Sequence, residues 1–400
     1  MKILFIIPSF KPAYIYGGTV VVSGLLAESL VKQGHDVTVY TTTANGKTEL
    51  NVEAGKEKTV DGVKVFYFKR LTKDHSHISP ALWQKTFRTV RNFDVVHLHS
   101  WWNPCIVIAA ALCKLRGIKP VLSPHGMFCD YVLNTNNQYK KKLLHFFTRP
   151  LLRNNFLHVS TEMEWNESQA MLDDYWQGTI LPNLVQLNEQ SVNERQINEL
   201  FTIGFISRVN PKKGLDILIK ALSKVNFNYR LKIAGDGEES YINYLKDLSI
   251  SCGNAEKIDW VGWKNNTGKF KFYSSIDLLA LTSLNENFAV VVIESLSVGT
   301  PVLLSDKVGL SKYVEENDLG WITSLEADKV TNALNILYRD KEKQISIQQR
   351  APGKIRNDFN SDTLAERYVE FYRKIINKTS KSKSPAVNKT GRKLSSSKKL

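Results

Sequence analysis

Cysteine is scarce in this 400-residue chain, and the four present, Cys105, Cys113, Cys129 and Cys252, form no CxxC pair and no repeated spacing. That excludes a zinc ribbon or a disulfide framework and fits a reducing compartment. Long apolar runs are missing too: the longest, Cys105 to Cys113, falls far short of the ~20 residues needed to cross a bilayer. The apolar start is cut at Pro8, too early for the core of a signal peptide. A cytoplasmic location is therefore expected. The spaced GxGxxG of dinucleotide folds is absent, which argues against a nicotinamide-type oxidoreductase. No DxD pair is placed as a metal site, since Asp173-Asp174 sits in a polar stretch that reads as helix surface. From Lys378 onward the chain has no acid and no aromatic residue. Without an aromatic to stack on a base, nucleic-acid binding is not indicated.

What is present is ordinary globular composition, 42% hydrophobic and 23% charged, over a length that exceeds one hydrophobic core. Two domains are expected, 1–185 and 196–360, with a polar linker between them, a helix at 361–377 that packs back toward the first domain, and a disordered basic tail at 378–400. That tail holds eight cations, just over half of the net charge of +15. It reads either as a solvated terminus or as a segment drawn to anionic lipid headgroups.

The most informative stretch is 281–305, LTSLNENFAVVVIESLSVGTPVLLS. Val290 to Ile293 has the β-propensity of a buried strand. A helix is the other reading: the run to Val298 is long for a strand, and Gly299 with Pro301 forms a stop. If a helix starts near Phe288, its free N–H groups can receive an anion. Glu286 and Glu294 would then lie about 80° and about 12 Å apart, too far to hold one atom but suited to two ends of an elongated ligand.

The rest of the chain alternates strand and helix. Lys2 to Pro8, Asp36 to Thr41, Val63 to Phe68, Val95 to Leu98, Pro120 to Ser123, Phe156 to Ser160 and Gly178 to Leu181 read as strands of a first parallel sheet. Gly17-Gly18 falls just before the first helix, where glycine lets backbone approach a phosphate. His97 and His125 fall at strand ends, where open α/β sheets bind ligands; His125, followed by Gly126, is the better ligand-facing candidate. The second half restarts at Leu200 to Ser207. Arg208 and Lys213 flank the following turn, which opens a helix to about Leu222 and makes an anion clamp. Further strands are read at Arg230 to Ala234, Ile258 to Val261, Asp277 to Leu281 and Pro301 to Ser305. The segment 137–154 mixes Lys140 to Lys142, Arg149 and Arg153 with leucine and phenylalanine. It reads either as a basic amphipathic surface resting on a membrane or as a helix packing its apolar side on the core.

Taken in order, Gly17-Gly18, His125-Gly126, Pro182-Asn183, Arg208 with Lys213-Gly214, Gly235-Asp236-Gly237, Glu286-Asn287-Phe288 to Glu294 and Gly299-Thr300-Pro301 resemble the retaining glycosyltransferase family 4. The resemblance spans nearly the whole chain before the tail. It implies the GT-B fold, α/β with two Rossmann-like domains facing across a cleft. It also implies a nucleotide-sugar donor, UDP- or GDP-linked, a glycan or lipid-linked acceptor, and no metal or other cofactor. Glu286 and His125 are then the catalytic residues near the transferred sugar. Gly17, Gly18, Arg208, Lys213, Asn287, Phe288 and Ala289 hold the diphosphate region and Glu294 the donor ribose. Acceptor groups are expected from 10–16, Trp101-Trp102 and 128–137, and a peripheral membrane contact is a further expectation. The runner-up is a non-catalytic scaffold on the same fold. Two positions depart from the family pattern: Leu184 and Ala289 stand where glycine is common. Alanine keeps the amide N–H but adds a methyl beside the donor.

Overall fold

The computed structural model describes residues 1–134, 138–172, 175–187 and 198–381. Asp173-Asp174, most of the linker and residues 382–400 of the tail lie outside the described residues.

Sixteen strands are described: β1 (Lys2–Ile6), β2 (Asp36–Thr42), β3 (Ala44–Asn45), β4 (Thr48–Glu49), β5 (Glu57–Val60), β6 (Val63–Phe68), β7 (Val95–His99), β8 (Val121–Ser123), β9 (Phe156–Val159), β10 (Gly178–Ile180), β11 (Phe201–Ile206), β12 (Tyr229–Ala234), β13 (Ile258–Trp260), β14 (Leu278–Leu281), β15 (Val302–Ser305) and β16 (Gly320–Thr323). The helices that matter here are α1 (Gly18–Lys32), α2 (Pro104–Leu115), α3 (Gln138–Leu152), α4 (Leu215–Leu222), α5 (Val290–Ser297) and α6 (Ser361–Lys381). The first sheet runs β10-β9-β8-β7-β1-β2-β6-β5, parallel except for the antiparallel edge strand β5. The second runs β13-β12-β11-β14-β15-β16, all parallel. The central strands β1, β7, β14 and β15 are near-continuous apolar runs because helices cover both faces of each sheet.

The strand order places the site. In each sheet the first strand is flanked by the second on one side and the fourth parallel strand on the other, so the connections leave in opposite directions and open a crevice at the carboxyl ends. In the first sheet that switch point lies between β1 and β7, where the Gly17-Gly18 loop and residues 99–103 emerge. In the second it lies between β11 and β14, where Arg208 to Gly214 and Thr282 to Ala289 emerge.

Several boundaries differ from the sequence reading. The helix after residue 208 begins at Leu215, after a short 3-10 turn at Pro211–Lys213. The key helix begins at Val290, two residues after Phe288, because Ala289 takes the left-handed conformation (φ 58°) and ends the loop. The final helix runs through residue 378 to Lys381, so the first residues assigned to the tail are helical. Its apolar face, Leu364, Tyr368 and Tyr372, packs in the core, and the helix lies along α1. Strand β5, strand β16 and the helices Ala327–Arg339 and Lys341–Asp358 extend beyond the elements read from periodicity.

Within segment 137–154, of which residue 137 lies outside the described residues, α3 forms, and its outer apolar side chains Tyr139, Leu143, Phe146 and Phe147 are exposed rather than packed on the core. The helix is anchored instead by Thr148, Leu151 and Leu152. The core-packing reading therefore holds for the last turn of α3 and fails for the apolar residues before it.

Candidate functional site

The loop from β14 to α5 carries most of the candidate residues. Glu286 is fixed through its backbone: its N–H donates to Lys307 O and its carbonyl accepts from Gly309 N (2.9 and 2.8 Å). Its carboxylate pairs with Lys213, which the turn Asn210–Gly214 presents from the other side of the switch point. Gly214 is required there. It sits at φ 62°, and a Cβ would lie 1.9 Å from Thr282 O. Gly235 and Gly237 pass equally close to Ser207 O and Val209 O, so these family-type glycines permit loop-to-loop approach. Arg208 is exposed on the same rim, and its guanidinium has no ion pair with any described residue. Two residues carry the loop into α5: Phe288 is buried against Phe359 and Asn287 turns toward the first sheet. The Phe288 side chain is thus core, and only its backbone is available to a ligand.

Glu294 lies one turn into α5 and is almost fully buried. Both oxygens are engaged, one by the Lys269 ammonium and the other by Tyr273 OH at 2.8 Å. Burial, then the Glu294 charge, pushes the Tyr273 phenol well above its ordinary range, so it remains a donor. Neither partner is apparent from the sequence, because each is contributed by a helix more than twenty residues away.

Across the cleft, His125 (φ 53°) and Gly126 (φ 74°) form a left-handed turn after β8. The turn is held by Glu164, whose carboxylate accepts from Gly126 N (2.7 Å), Ser160 N (2.9 Å) and Ser160 Oγ (3.1 Å). Burial raises the Glu164 pKa against the pull of these bonds. Asn287 joins the two sides: its Nδ2 donates to Ser160 Oγ at 3.2 Å, and a Cβ on Gly126 would come within 2.9 Å of the Asn287 Cβ. Cys129 Sγ adds a donation to Asn285 Oδ1 at 3.2 Å. The structure therefore brings Glu286, Asn287 and Lys213 of the second half against His125 and Gly126 of the first.

Behind His125 stands a histidine array whose connection through His158 and Ser123 the sequence reading of His97 and His125 did not show. His158 Nε2 donates to Leu181 O (3.1 Å), so its Nδ1 accepts from Ser123 OH (2.6 Å). Ser123 Oγ then accepts from His97 Nε2–H (2.6 Å), and His97 Nδ1 accepts from Tyr372 OH on α6 (2.8 Å). Tyr368 OH also meets His158 Nε2, at 2.8 Å, and with the proton on that nitrogen the other assignments of the array follow in turn. Burial, the largest cause, holds His97 well below the ordinary imidazole range and brings His158 down to about 4. His99 Nδ1 lies 3.0 Å from His125 Nε2 with the rings stacked. His99 Nε2 is buried without a partner. A proton there would be an orphaned donor, which costs more than an unpaired acceptor. The shared proton is therefore assigned to His99 Nδ1, and His125 keeps its own on Nδ1. Burial, then the His158 charge, lowers the His125 pKa to about 3.

Gly17 (φ 76°) and Gly18 cap α1 beside a cleft of about 270 Å³ lined by Ser9, Tyr16, Thr19, His77, Ser100 and Trp102. No atom lies within 4 Å of a Cβ built on either glycine. Of the aromatic residues expected to face an acceptor, Tyr16 and Trp102 line this space. Phe10, Trp101 and Phe128 are core, and residues 135–137 lie outside the described residues.

Comparison with known proteins agrees with this layout. Residues 188–354 match the model for glycosyl transferases group 1, and residues 16–161 match glycosyltransferase family 4. An uncharacterized glycosyltransferase of Methanocaldococcus jannaschii is 23% identical over 93% of this chain and 98% of its own. A lipopolysaccharide 1,2-N-acetylglucosaminetransferase of Salmonella typhimurium is 25% identical over 46% of this chain and 51% of its own. Among solved structures, Anabaena HepE in complex with UDP and glucose superposes with a TM-score of 0.69 at 20% identity, covering 92% of this chain and 98% of that one. The shared architecture is the GT-B fold.

Proposed function

The chain belongs to the glycosyltransferases, family 4 in its first half and group 1 in its second, and from that premise we propose a retaining enzyme. It moves a hexose-type unit from a nucleotide diphosphate sugar to a glycan or lipid-linked glycan, in cell-surface polysaccharide or lipopolysaccharide synthesis on the cytoplasmic side. Relatives named for lipopolysaccharide synthesis support the pathway class, and the UDP-bound neighbour supports a UDP-type donor. The observation that carries the reading is the meeting of the Lys213–Glu286 pair with the His125–Gly126 turn through Asn287.

Arg208 and Lys213 neutralise the donor diphosphate, with the amides at the start of α5 and the Gly17-Gly18 loop adding donors. Glu294 takes the ribose hydroxyls from the buried side, in competition with Lys269. Glu286 and the His125 Nδ1–H hold hydroxyls of the transferred sugar. The bond from the anomeric carbon to phosphate oxygen breaks with its electron pair going to phosphate. The acceptor oxygen bonds to that carbon on the same face, and its proton passes to the departing phosphate. The cations gain most as charge builds on that oxygen, which is how the step is accelerated. They do electrostatic work that a metal does elsewhere, so transfer should persist in EDTA.

A thermal-shift panel of nucleotide sugars tests the reading, because a ligand that binds only the folded chain raises its melting temperature. One nucleotide series should stabilise the chain, and Glu286→Gln should keep that shift while abolishing sugar transfer. A flat panel would overturn the donor assignment, and normal transfer by Glu286→Gln would remove its role.

A further inference from the structure

We propose that Lys269 forms, together with Glu294, a clamp for the cis-diol of a ribose, and that this pair restricts the donor to ribonucleotide sugars. Lys269 lies on the helix Asn266–Ser274, which packs against α5 and sets the ammonium beside the Glu294 carboxylate. The Lys269 side chain is 17% exposed and that of Glu294 only 4%, so the cation is the partner nearer to solvent. Tyr273, fully buried one turn further along the same helix, holds the other carboxylate oxygen at 2.8 Å. One helix thus grips the acid from its buried side and places a cation on its open side.

The donor and acceptor inventory explains why a lysine belongs there. A ribose diol brings two O–H donors and two oxygens with free lone pairs. A carboxylate only accepts, so Glu294 alone would take the protons and leave both oxygens without donors in a nearly buried place. An ammonium has three N–H donors and accepts nothing. Among the described residues Lys269 donates only to Glu294 Oε1, which leaves two N–H groups unused, and its Nζ stands 5.4 Å from the Phe270 ring centroid. On the acid, each oxygen holds one protein donor and keeps a second lone-pair position. The diol takes the place of the direct contact between the two side chains: its protons go to Glu294 and its oxygens accept from Lys269.

A 2′-deoxyribose has one hydroxyl fewer. The pair then either stays closed against the sugar or opens onto a position that nothing fills, and a site built to hydrogen-bond a hydroxyl rejects the analogue that lacks it. UDP- or GDP-linked sugars are accepted on this account and deoxythymidine-linked sugars are not. The inference rests on the donor reading of Glu294. A purely structural ion pair, by contrast, would support the fold and treat both sugars alike.

Isothermal titration of each ribonucleoside diphosphate beside its 2′-deoxy counterpart, UDP with dUDP and GDP with dGDP, tests it in the full chain. The wild type should prefer the ribonucleotide by about ten- to a hundredfold, the worth of hydrogen bonds to a charged group. Lys269→Met should reduce that ratio to about threefold or less, whereas Lys269→Arg, which keeps a cation with several N–H donors, should retain most of it. A ratio taken within one variant cancels losses common to both ligands, and cooperative melting shows that the variant is folded. If Lys269→Met does not melt cooperatively, Lys269→Gln, which keeps an amide donor beside Glu294, carries the same comparison, with the ratio lowered at least about threefold. An unchanged ratio in the folded Lys269 variant would overturn the proposal, and a ratio that then falls in Glu294→Gln would leave the donor reading standing without it. A wild type that binds UDP and dUDP equally would overturn it too. Absence of any nucleotide binding would remove the donor reading and this inference together.

Discussion

At the scale of the residue, Ala289 is the departure with the clearest physical consequence. It occupies a left-handed conformation (φ 58°) that glycine adopts freely and alanine does not. Alanine to glycine ordinarily destabilises a helix by roughly 0.5–1 kcal/mol. Here Ala289→Gly should instead be neutral or stabilise by up to about 1 kcal/mol, read as a urea midpoint. A loss of ordinary size would show that the strain is absent. The histidine array gives a second prediction. Burial holds His158 at about 4 and His125 at about 3, and His77 in the Gly17-Gly18 cleft at about 4, all below the ordinary value of 6.5. Between those limits the unfolded chain binds more protons than the folded one. Stability is therefore complete above about pH 6.5 and falls as the pH drops toward 4, by up to about 1.4 kcal/mol per pH unit for each such ring. A melting temperature flat from pH 7 to 5 would contradict it. His99→Phe should reduce turnover while sparing nucleotide affinity, and His99→Asn, which restores an N–H near the Nδ1 position, should recover part of it. Equal losses in both variants would assign His99 a packing role alone.

At the scale of the element, α5 decides how the donor is gripped. Glu294 is buried between Lys269 and Tyr273, and the proposed donor model has it hold the ribose. Glu294→Gln should weaken nucleoside diphosphate binding by about ten- to a hundredfold, the worth of a hydrogen bond to a charged group, and leave inorganic pyrophosphate inhibition unchanged. If both weaken together, the helix has moved and the ribose role is lost. How far α5 was legible in the sequence is instructive. Its stop at Gly299-Thr300-Pro301 is local chemistry, and the structure has the helix that this stop implies. Its start is not local: it depends on how Ala289 and Gly309 pass the Asn287 carbonyl, where a Cβ on Gly309 would meet Asn287 O at 1.8 Å. Lys269, Tyr273, Glu164 and His99 were not legible, because each meets its partner only through sheet order. Segment 137–154 gave one pattern for two readings. Periodicity identifies an apolar face but not whether a core lies against it.

At the scale of the whole molecule, the alternation of strands and helices was enough to read two α/β halves, and the glycines and charged pairs pointed to their facing loops. The 361–377 helix was expected to pack back toward the first domain, and α6 makes that contact through specific partners that the sequence does not name. Tyr368 and Tyr372 are fully buried and bond His158 and His97, both at 2.8 Å. A chain ending at Asn360 should lose cooperative melting, because six buried positions of α6 would be exposed, whereas Tyr372→Phe should cost only about 1 kcal/mol. The central claim is that the cleft between the halves binds a nucleotide diphosphate through the Arg208 and Lys213 clamp. Isothermal titration of UDP and then GDP into the wild-type chain, Arg208→Ala and Glu286→Gln tests it most directly. One nucleotide should bind the wild type, bind Arg208→Ala roughly ten- to a hundredfold more weakly, and bind Glu286→Gln with nearly unchanged affinity. Absence of binding to the wild type, or affinity that Arg208→Ala leaves intact, would contradict it.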